Sequence, residues 1–312
     1  MNEIIVGIDV SKNTLDIYVH PLQKAMKFKN NQSGIDEMVQ KLQKLTPKLV
    51  VLEATGGYSY LVTVGLSAAG ISFSLANPRQ VRDFARAMGK LAKTDTIDAQ
   101  VIALFGEKMP LKCYELPPAD IQAIKELVKR RRQLIEMQTS ESNRQEYTHS
   151  SEVAKSIQAI LDAIKREIEK IDNETDTLVK SSKTIQEKDN LLQSIPGIGK
   201  NTSRVLIACF PELGTLNKRQ VASLTGLAPI NRDSGIFRGH RSIACGRPFV
   251  RTALYMSTLS AIRCNSKIKN FYKRLIANGK PPMVALTACM HKMIIFTNAI
   301  IRENKPWCIT NP

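Results

Sequence analysis

Three strand signals follow one another in IIVGIDVSKNTLDIYVHPLQKAMKFKN, residues 4–30. IIVGID is a β-branched run, while LDIYVH and KAMKFKN alternate apolar with polar side chains, the period of a pleated strand. Only short turns separate them, so the segment predicts two successive hairpins. Working outward, IDEMVQKLQKL (35–45) has helical periodicity and KLVVLEA (48–54) reads as a buried strand. A helix near 58–69, a strand at 71–76 and a further helix follow. Asn77 and Pro78 open that last helix as an N-cap and a first-turn proline. The order β-β-β-α-β-α-β-α predicts an α/β layer in which a crossover through 35–45 sets the strand at 48–54 parallel to the first.

MPLKCYELPPAD (109–120) contains three prolines and reads as a linker. Residues 119–188 contain no glycine or proline, and Val153, Ile157, Ile160, Ile164, Ile168, Ile171 and Leu178 recur at steps of three and four. That pattern predicts long antiparallel helices or an intermolecular coiled coil. The KRRRQ cluster at 129–133 could touch phosphate, although a charge run on a helix is more often a solvated face.

Charge divides the chain further. The formal net charge is +17, and it is unevenly spread: 13 basic against 10 acidic residues in 1–110, 14 against 15 in 111–190, and 18 against 3 in 191–312. A folded segment whose only acids are Glu212, Asp233 and Glu303 repels itself unless a polyanion neutralises it, which points to nucleic acid. The six cysteines are widely spaced, with no C-x-x-C pair, and fit reduced thiols rather than zinc. The amino terminus lacks a basic region before a long apolar run, and His291 and Lys292 interrupt the apolar stretch 283–301. A cytoplasmic protein without a membrane span is expected, with 283–301 as a core helix.

Two groups of residues carry chemistry. Asp9 ends the first strand and Glu53 its parallel neighbour, so two carboxylates stand together at the carboxyl edge of the sheet, the usual ligand edge of such layers. KTDTIDAQ (93–100) then supplies Asp95 and Asp98, three apart at the start of an otherwise apolar helical pattern. Any one of these acids alone could merely cap a strand or helix. Four that converge require hard divalent cations, and a Mg²⁺ pair about 4 Å apart would suit phosphodiester chemistry. Asp16 is left out as a mid-strand residue, and Asp83 as part of an Arg-rich exposed helix.

The second group lies in LAPINRDSGIFRGHRSIACGRPFVRTALY (227–255), where Ser234 precedes a glycine among Arg232, Arg238, His240, Arg241, Arg247 and Arg251. A serine in a loop is commonplace, but this arginine density provides cations for a pentavalent phosphate, and the hydroxyl is a candidate nucleophile. Upstream, SIPGIGKNTSRVLI (194–207) places Gly197 and Gly199 between helical segments, ahead of Lys200. Amides at the start of the next helix can face a phosphate, as in a helix-hairpin-helix element, with a plain helix-helix turn as the alternative.

Taken in order, GIDVSK, EATGGY, KTDTIDA, a helical spacer, IPGIG, GLAPI, DSG and an arginine-rich glycine segment resemble the DEDD transposases of insertion sequence family 110. The likeness runs over essentially the whole chain. It implies a RuvC-like domain of the ribonuclease H fold in 1–110, a linker and coiled-coil spacer in 111–190, and a mostly helical, basic transposase domain in 191–312. It further implies recombination directed by a noncoding bridge RNA that pairs with donor and target DNA, and a homo-oligomer (dimer or tetramer) in which the acidic site of one subunit meets the serine of another. By position Asp9, Glu53, Asp95 and Asp98 fall on the family's Mg²⁺-binding tetrad, and Ser234 on its DNA-linking serine. Gly197, Gly199, Lys200, Arg232, Arg238, Arg241, Arg247 and Arg251 are the expected nucleic-acid contacts. Cys245 departs from the pattern, because family members often have a basic residue before the glycine found here at Gly246. The alternative from the residues alone is a metal-dependent RuvC-like nuclease or junction resolvase that hydrolyses with water. A non-enzymatic nucleic-acid binder with a decayed site is a third.

Overall fold

The structure, a computed structural model, describes residues 3–54, 56–90, 95–231, 233–235, 237–239 and 241–308, and the side chains at 95, 96, 237 and 238 lie outside the description. The chain forms two compact units, 1–116 and 117–312.

The first unit is built on strands β1 (Ile5–Val10), β2 (Thr14–His20), β3 (Lys24–Lys29), β4 (Leu49–Glu53) and β5 (Phe73–Ala76), in the sheet order β3-β2-β1-β4-β5. The first three are antiparallel, and β4 and β5 run parallel to β1. This is the sheet expected from the alternating stretch, and its mixed arrangement is that of a ribonuclease H fold.

Alternation sorts the faces. Val6, Ile8, Val10, Leu15, Ile17 and Val19 join Val50 and Leu52 in one core, closed by Ile35, Met38 and Leu42 of α1 (Gln32–Leu45) and by Val62 and Leu66 of α2 (Tyr60–Ala68). On the other face Ile5, Leu49, Val51 and Ala76 meet Val101, Ile102 and Phe105 of α4 (Asp95–Lys108), and Val81 of α3 (Pro78–Ala87) adds to the same core. Asn77 caps α3 with its side-chain oxygen on the Arg79 amide at 2.9 Å, with Pro78 in the first turn as the sequence predicts.

The second unit is helical: α5 (Ala119–Glu146), α6 (Ser151–Ser181), α7 (Lys183–Gln193), α8 (Lys200–Cys209), α9 (Lys218–Leu224), α10 (Pro248–Cys264), α11 (Ser266–Ala277) and α12 (Pro282–Glu303). Four two-residue strands lie between α9 and α10: β6 (Pro229–Ile230), β7 (Asp233–Ser234), β8 (Phe237–Arg238) and β9 (Ser242–Ile243). Helices α5 and α6 run antiparallel, since Arg131 bonds Asp172 while Gln145 bonds Gln158. Leu134, Ile164 and Ile171 fill their seam.

The predicted stripe on α6 splits. Ile157, Ile164 and Ile171 are buried, but Val153 and Ile160 are 49% and 43% exposed, and Leu161 rather than Ile160 is the buried residue of that turn. The KRRRQ cluster is largely occupied within the chain: Arg131 with Asp172, and Arg132 with Glu136 and the Phe249 ring. Helix α12 is apolar and long enough to cross a membrane by length and composition alone, yet half of it lies inside the core. Its buried Asn298 accepts from the Gly214 amide and donates to the Leu216 carbonyl, each at 2.8 Å, tying down the loop before α9.

Candidate functional site: a carboxylate edge and a serine arm

Strand register positions the first group. The β1–β4 ladder pairs Ile8 with Leu52, so Asp9 and Glu53 are the next residues along two adjacent parallel strands. Neighbouring strands lie about 4.8 Å apart, and residues at equal register share a face. Asp9 shares its face with Ile5 and Gly7, and Glu53 shares its face with Val51, two steps back along each strand. Both carboxylates therefore project on the side that α4 covers.

Where α4 crosses follows from its contacts. A Cβ on Gly7 would lie 2.2 Å from the Ala99 carbonyl oxygen and 2.4 Å from the Ala103 nitrogen, while a Cβ on Gly106 would lie 2.5 Å from Val51 Cγ2 and 3.1 Å from Ile5 Cγ2. Thus Ile5 is level with residue 106 and Gly7 with about 101. Two strand residues rise about 6.6 Å, the length of roughly four helix residues, so Asp9 is level with about residue 97. That is the first turn of α4, between positions 95 and 98.

Asp98 lies one and two turns before Ile102 and Phe105, which pack with Leu49, Val51 and Ala76. It therefore leans toward the β4 side, where Glu53 is. Position 95 is one turn before Ala99, and its side chain lies outside the described residues. Asp9, Glu53 and Asp98 each have a polar or electrostatic interaction within the chain. Among the described residues no three acids, histidines or cysteines form a closed metal cluster. The donor set itself, all carboxylate oxygens at one edge, fits a hard divalent cation.

One acid missed by sequence reasoning belongs beside this group. Asp16 pairs in register directly with Asp9 across the β1–β2 hairpin, and its neighbour on that face, Tyr18, packs on Ala99 and Ala103. Asp16 is 8% exposed and is balanced by Lys27 Nζ at 3.1 Å. Hairpin arithmetic would have found it: a two-residue turn at Lys12–Asn13 sets Ser11 opposite Thr14, Leu15 opposite Val10 and Asp16 opposite Asp9.

The second group is an arm. Pro229 pairs with Ile243 and Ile230 with Ser242 at its root, and Asp233 pairs with Arg238 and Ser234 with Phe237 further out. Ser234 is exposed and precedes Gly235, whose φ of 54° is the left-handed geometry of the turn. No described residue hydrogen-bonds its hydroxyl.

The arginines around it divide by role. Arg247 donates to both carboxylate oxygens of Glu212 at 2.7 and 2.6 Å, to the Cys209 carbonyl at 3.1 Å, and stacks on the Phe210 ring. Burial pushes the Glu212 carboxyl upward, but the Arg247 hydrogen bonds and charge outweigh it and hold the group below its ordinary value. Arg251 donates to the carbonyls of Cys245 at 2.7 Å and Thr225 at 3.3 Å. These two bolt the root of the arm. Cys245 and Gly246 are both left-handed there, with φ of 61° and 70°. Arg241 is exposed; Arg232 and His240 lie outside the described residues, as does the side chain of Arg238.

At the glycine turn before α8, Ile195 and Ile198 are buried, and a Cβ on Gly197 would lie 2.5 Å from Ala261 Cβ. Gly197, with φ of 104°, is therefore fixed by packing, whereas Gly199 has open space around it. Lys200 pairs with Asp176 at 3.2 Å, and buried Arg204 pairs with the same carboxylate. No acid occurs between Asp233 and Glu303. Arg263, Lys269 and Lys273 are exposed along α10 and α11 without an ion-pair partner among the described residues.

Comparison with known proteins supplies the class. Residues 6–148 match a family model described as a transposase of the DEDD type, and residues 189–273 match one described as "Transposase IS116/IS110/IS902 family". The "Pilin gene-inverting protein" of Moraxella bovis is 28% identical over 98% of both chains, and that of Moraxella lacunata 27% over the same shares. Among solved structures, Thermus thermophilus RuvC in complex with a Holliday junction substrate aligns over 36% of this chain and 100% of its own, at 16% identity and a TM-score of 0.29.

The protein is thus a DNA recombinase of the transposase class. It belongs to the IS110 family of transposases.

Proposed function

We propose that this recombinase cuts and rejoins DNA through Ser234, activated by a Mg²⁺-dependent carboxylate site of Asp9, Glu53, Asp95 and Asp98, under the guidance of a bridge RNA. The observation that carries the reading is the coexistence of two differently built constellations: carboxylates held by strand register level with the start of α4, and a serine exposed on a bolted arm. Mg²⁺ held by the four acids would polarise the phosphate and favour the alkoxide.

Ser234 Oγ attacks phosphorus, the P–O bond to a DNA sugar breaks, and the departing sugar oxygen takes up a proton. One phosphodiester replaces another, so the reverse attack reseals a strand without ATP. Arg232, Arg238 and Arg241 would stabilise the added charge on phosphorus. Arg247 and Arg251, engaged at the root, would act by holding the arm. Gly197, Gly199 and Lys200 would contact backbone as a helix-hairpin-helix element.

The functional division follows 1–110, 111–190 and 191–312, with α5 and α6 as a coiled-coil spacer. The exposed Val153 and Ile160 suit a partner helix in a homo-oligomer that brings one subunit's acids to another's serine. If pairing by RNA supplies sequence choice for donor and target, the protein needs mainly backbone contacts, and the acid-free run after Asp233 suits that task.

The test is to denature cells expressing the protein with its flanking DNA and ask whether DNA stays attached. Attachment that vanishes in both Ser234→Ala and Asp9→Ala supports the mechanism. Cleaved DNA without attachment, with Ser234→Ala still cutting, would establish hydrolysis by water at the carboxylate edge instead.

A further inference from the structure

The β1–β4 ladder ends one pair too early to set the spacing of its two carboxylates. Its last pair is Ile8 with Leu52; beyond that point β1 continues on β2, through Asp9–Asp16 and Val10–Leu15, while β4 continues on β5, through Glu53–Ala76 and the Ala54 amide to the Ala76 carbonyl. No β1–β4 pair reaches the point where Asp9 and Glu53 stand.

One side chain spans the gap. Asn30, just past β3, donates through Nδ2 to the Ser11 carbonyl at 2.8 Å and to the Tyr58 carbonyl at 3.1 Å. Its backbone amide also donates to the Asn13 carbonyl at 2.9 Å. Ser11 is two residues past Asp9, and Tyr58 five past Glu53, so both loops leaving the acids end on one amide group. Its Oδ1 is buried with no partner among the described residues. An unpaired buried acceptor is costly, so the site is built around the two donors.

We propose that Asn30 is a positioning residue of the recombinase, a clasp that fixes the separation of Asp9 and Glu53 before metal arrives. This rests on the reading of those acids as a metal-binding pair. The neighbouring Asn31 provides the contrast: its oxygen accepts from the Gly34 amide at 2.9 Å and caps α1, a purely structural task.

The experiment uses the full-length chain as wild type, Asn30→Ala, Asn30→Asp and Asn31→Ala. Asn30→Asp keeps the shape and removes both donors, and serves for exchange if the alanine variant does not fold. In metal-free protein, amide hydrogen exchange of segments 11–14 and 56–60 is expected to quicken about tenfold in the Asn30 variants and not in Asn31→Ala. In calorimetric titration, Asn30→Ala is expected to bind Mg²⁺ about tenfold more weakly, whereas Asn31→Ala keeps wild-type affinity despite lower stability. Unchanged exchange in the Asn30 variants, or wild-type Mg²⁺ affinity in Asn30→Ala, overturns the clasp. A wild type that takes up no Mg²⁺ overturns the metal reading alone, and the exchange data then decide whether Asn30 joins the two loops.

Discussion

Replacing Gly7 by alanine tests the convergence of the carboxylates with a single methyl group. Gly7 lies on β1 under α4, and the added Cβ would stand 2.2 Å from the Ala99 carbonyl oxygen, 2.4 Å from the Ala103 nitrogen and 3.0 Å from its Cα. All three are backbone atoms, so no rotamer change can relieve the clash. Ordinary contact needs about 3.5 Å, and α4 must therefore lift by about 1 Å. Overpacking of this kind costs about 1–3 kcal/mol. Asp98 rides on the same helix, and an error of about 1 Å in a reacting group costs about 100-fold in rate. Denaturant unfolding should show the first unit weakened by about 1–3 kcal/mol, and strand exchange should fall about 100-fold. Gly57→Ala, whose Cβ meets nothing within 4 Å, should stay within about 0.5 kcal/mol of wild type. Wild-type stability in Gly7→Ala would refute the seating of α4. Lost stability with full exchange activity would refute the role given to Asp98.

Two further outcomes follow from the second unit. Because Glu212 has a depressed pKa, its bond to Arg247 stabilises the fold above the ordinary carboxylate value of 4.5 and is lost as pH falls below it through the lowered value. Acid titration followed by circular dichroism should show that loss in wild type and a flatter profile in Glu212→Gln; identical profiles would mean the arm's root does not depend on the pair. Replacing Lys269 and Lys273 together by glutamine should reduce the slope of log affinity for duplex DNA against log salt by about 1.8, at about 0.9 per phosphate contact. An unchanged slope would remove α11 from the DNA-binding surface.

Period and capping made most of the first unit legible, because both are local. Alternation in residues 4–30 sorted side chains to two faces, and Asn77–Pro78 marked the start of α3 from two adjacent residues. The seating of α4 was not legible. Gly7 looks like any glycine in a strand until the Ala99 and Ala103 backbone is found against it, and that approach depends on residues some 90 positions away. Asp16 was set aside for being mid-strand, although register rather than strand position decides which acids stand together. Arginine density misled in a related way. Arg247 and Arg251 count toward a basic cluster in sequence, but their partners, Glu212 and the Thr225 carbonyl, are supplied by tertiary packing. The arm itself is made of two-residue strands, too short for any periodicity to register.

The contrast between the two constellations bears on how the serine could work. Asp9 and Glu53 sit at the end of a sheet with helices on both faces, one residue past the Ile8–Leu52 pair, where register and the glycine under α4 set their face and level. Ser234 stands on a narrow arm whose root is fixed where Arg251 holds two carbonyls and Gly246 closes on the Gly226 backbone. A serine hydroxyl is a weak nucleophile until a base or a cation favours its alkoxide. Its strand neighbour Asp233 lies in register with Arg238, and the described residues around it supply no hydrogen bond to the hydroxyl. If Ser234 is the nucleophile, as proposed, an all-oxygen carboxylate edge holding a divalent cation would have the right chemistry to activate it. On the proposed mechanism such a division would have a functional use: a serine inert on its own arm would attack DNA only with the arm, the phosphate and a carboxylate edge assembled, which would confine cleavage to the complete complex.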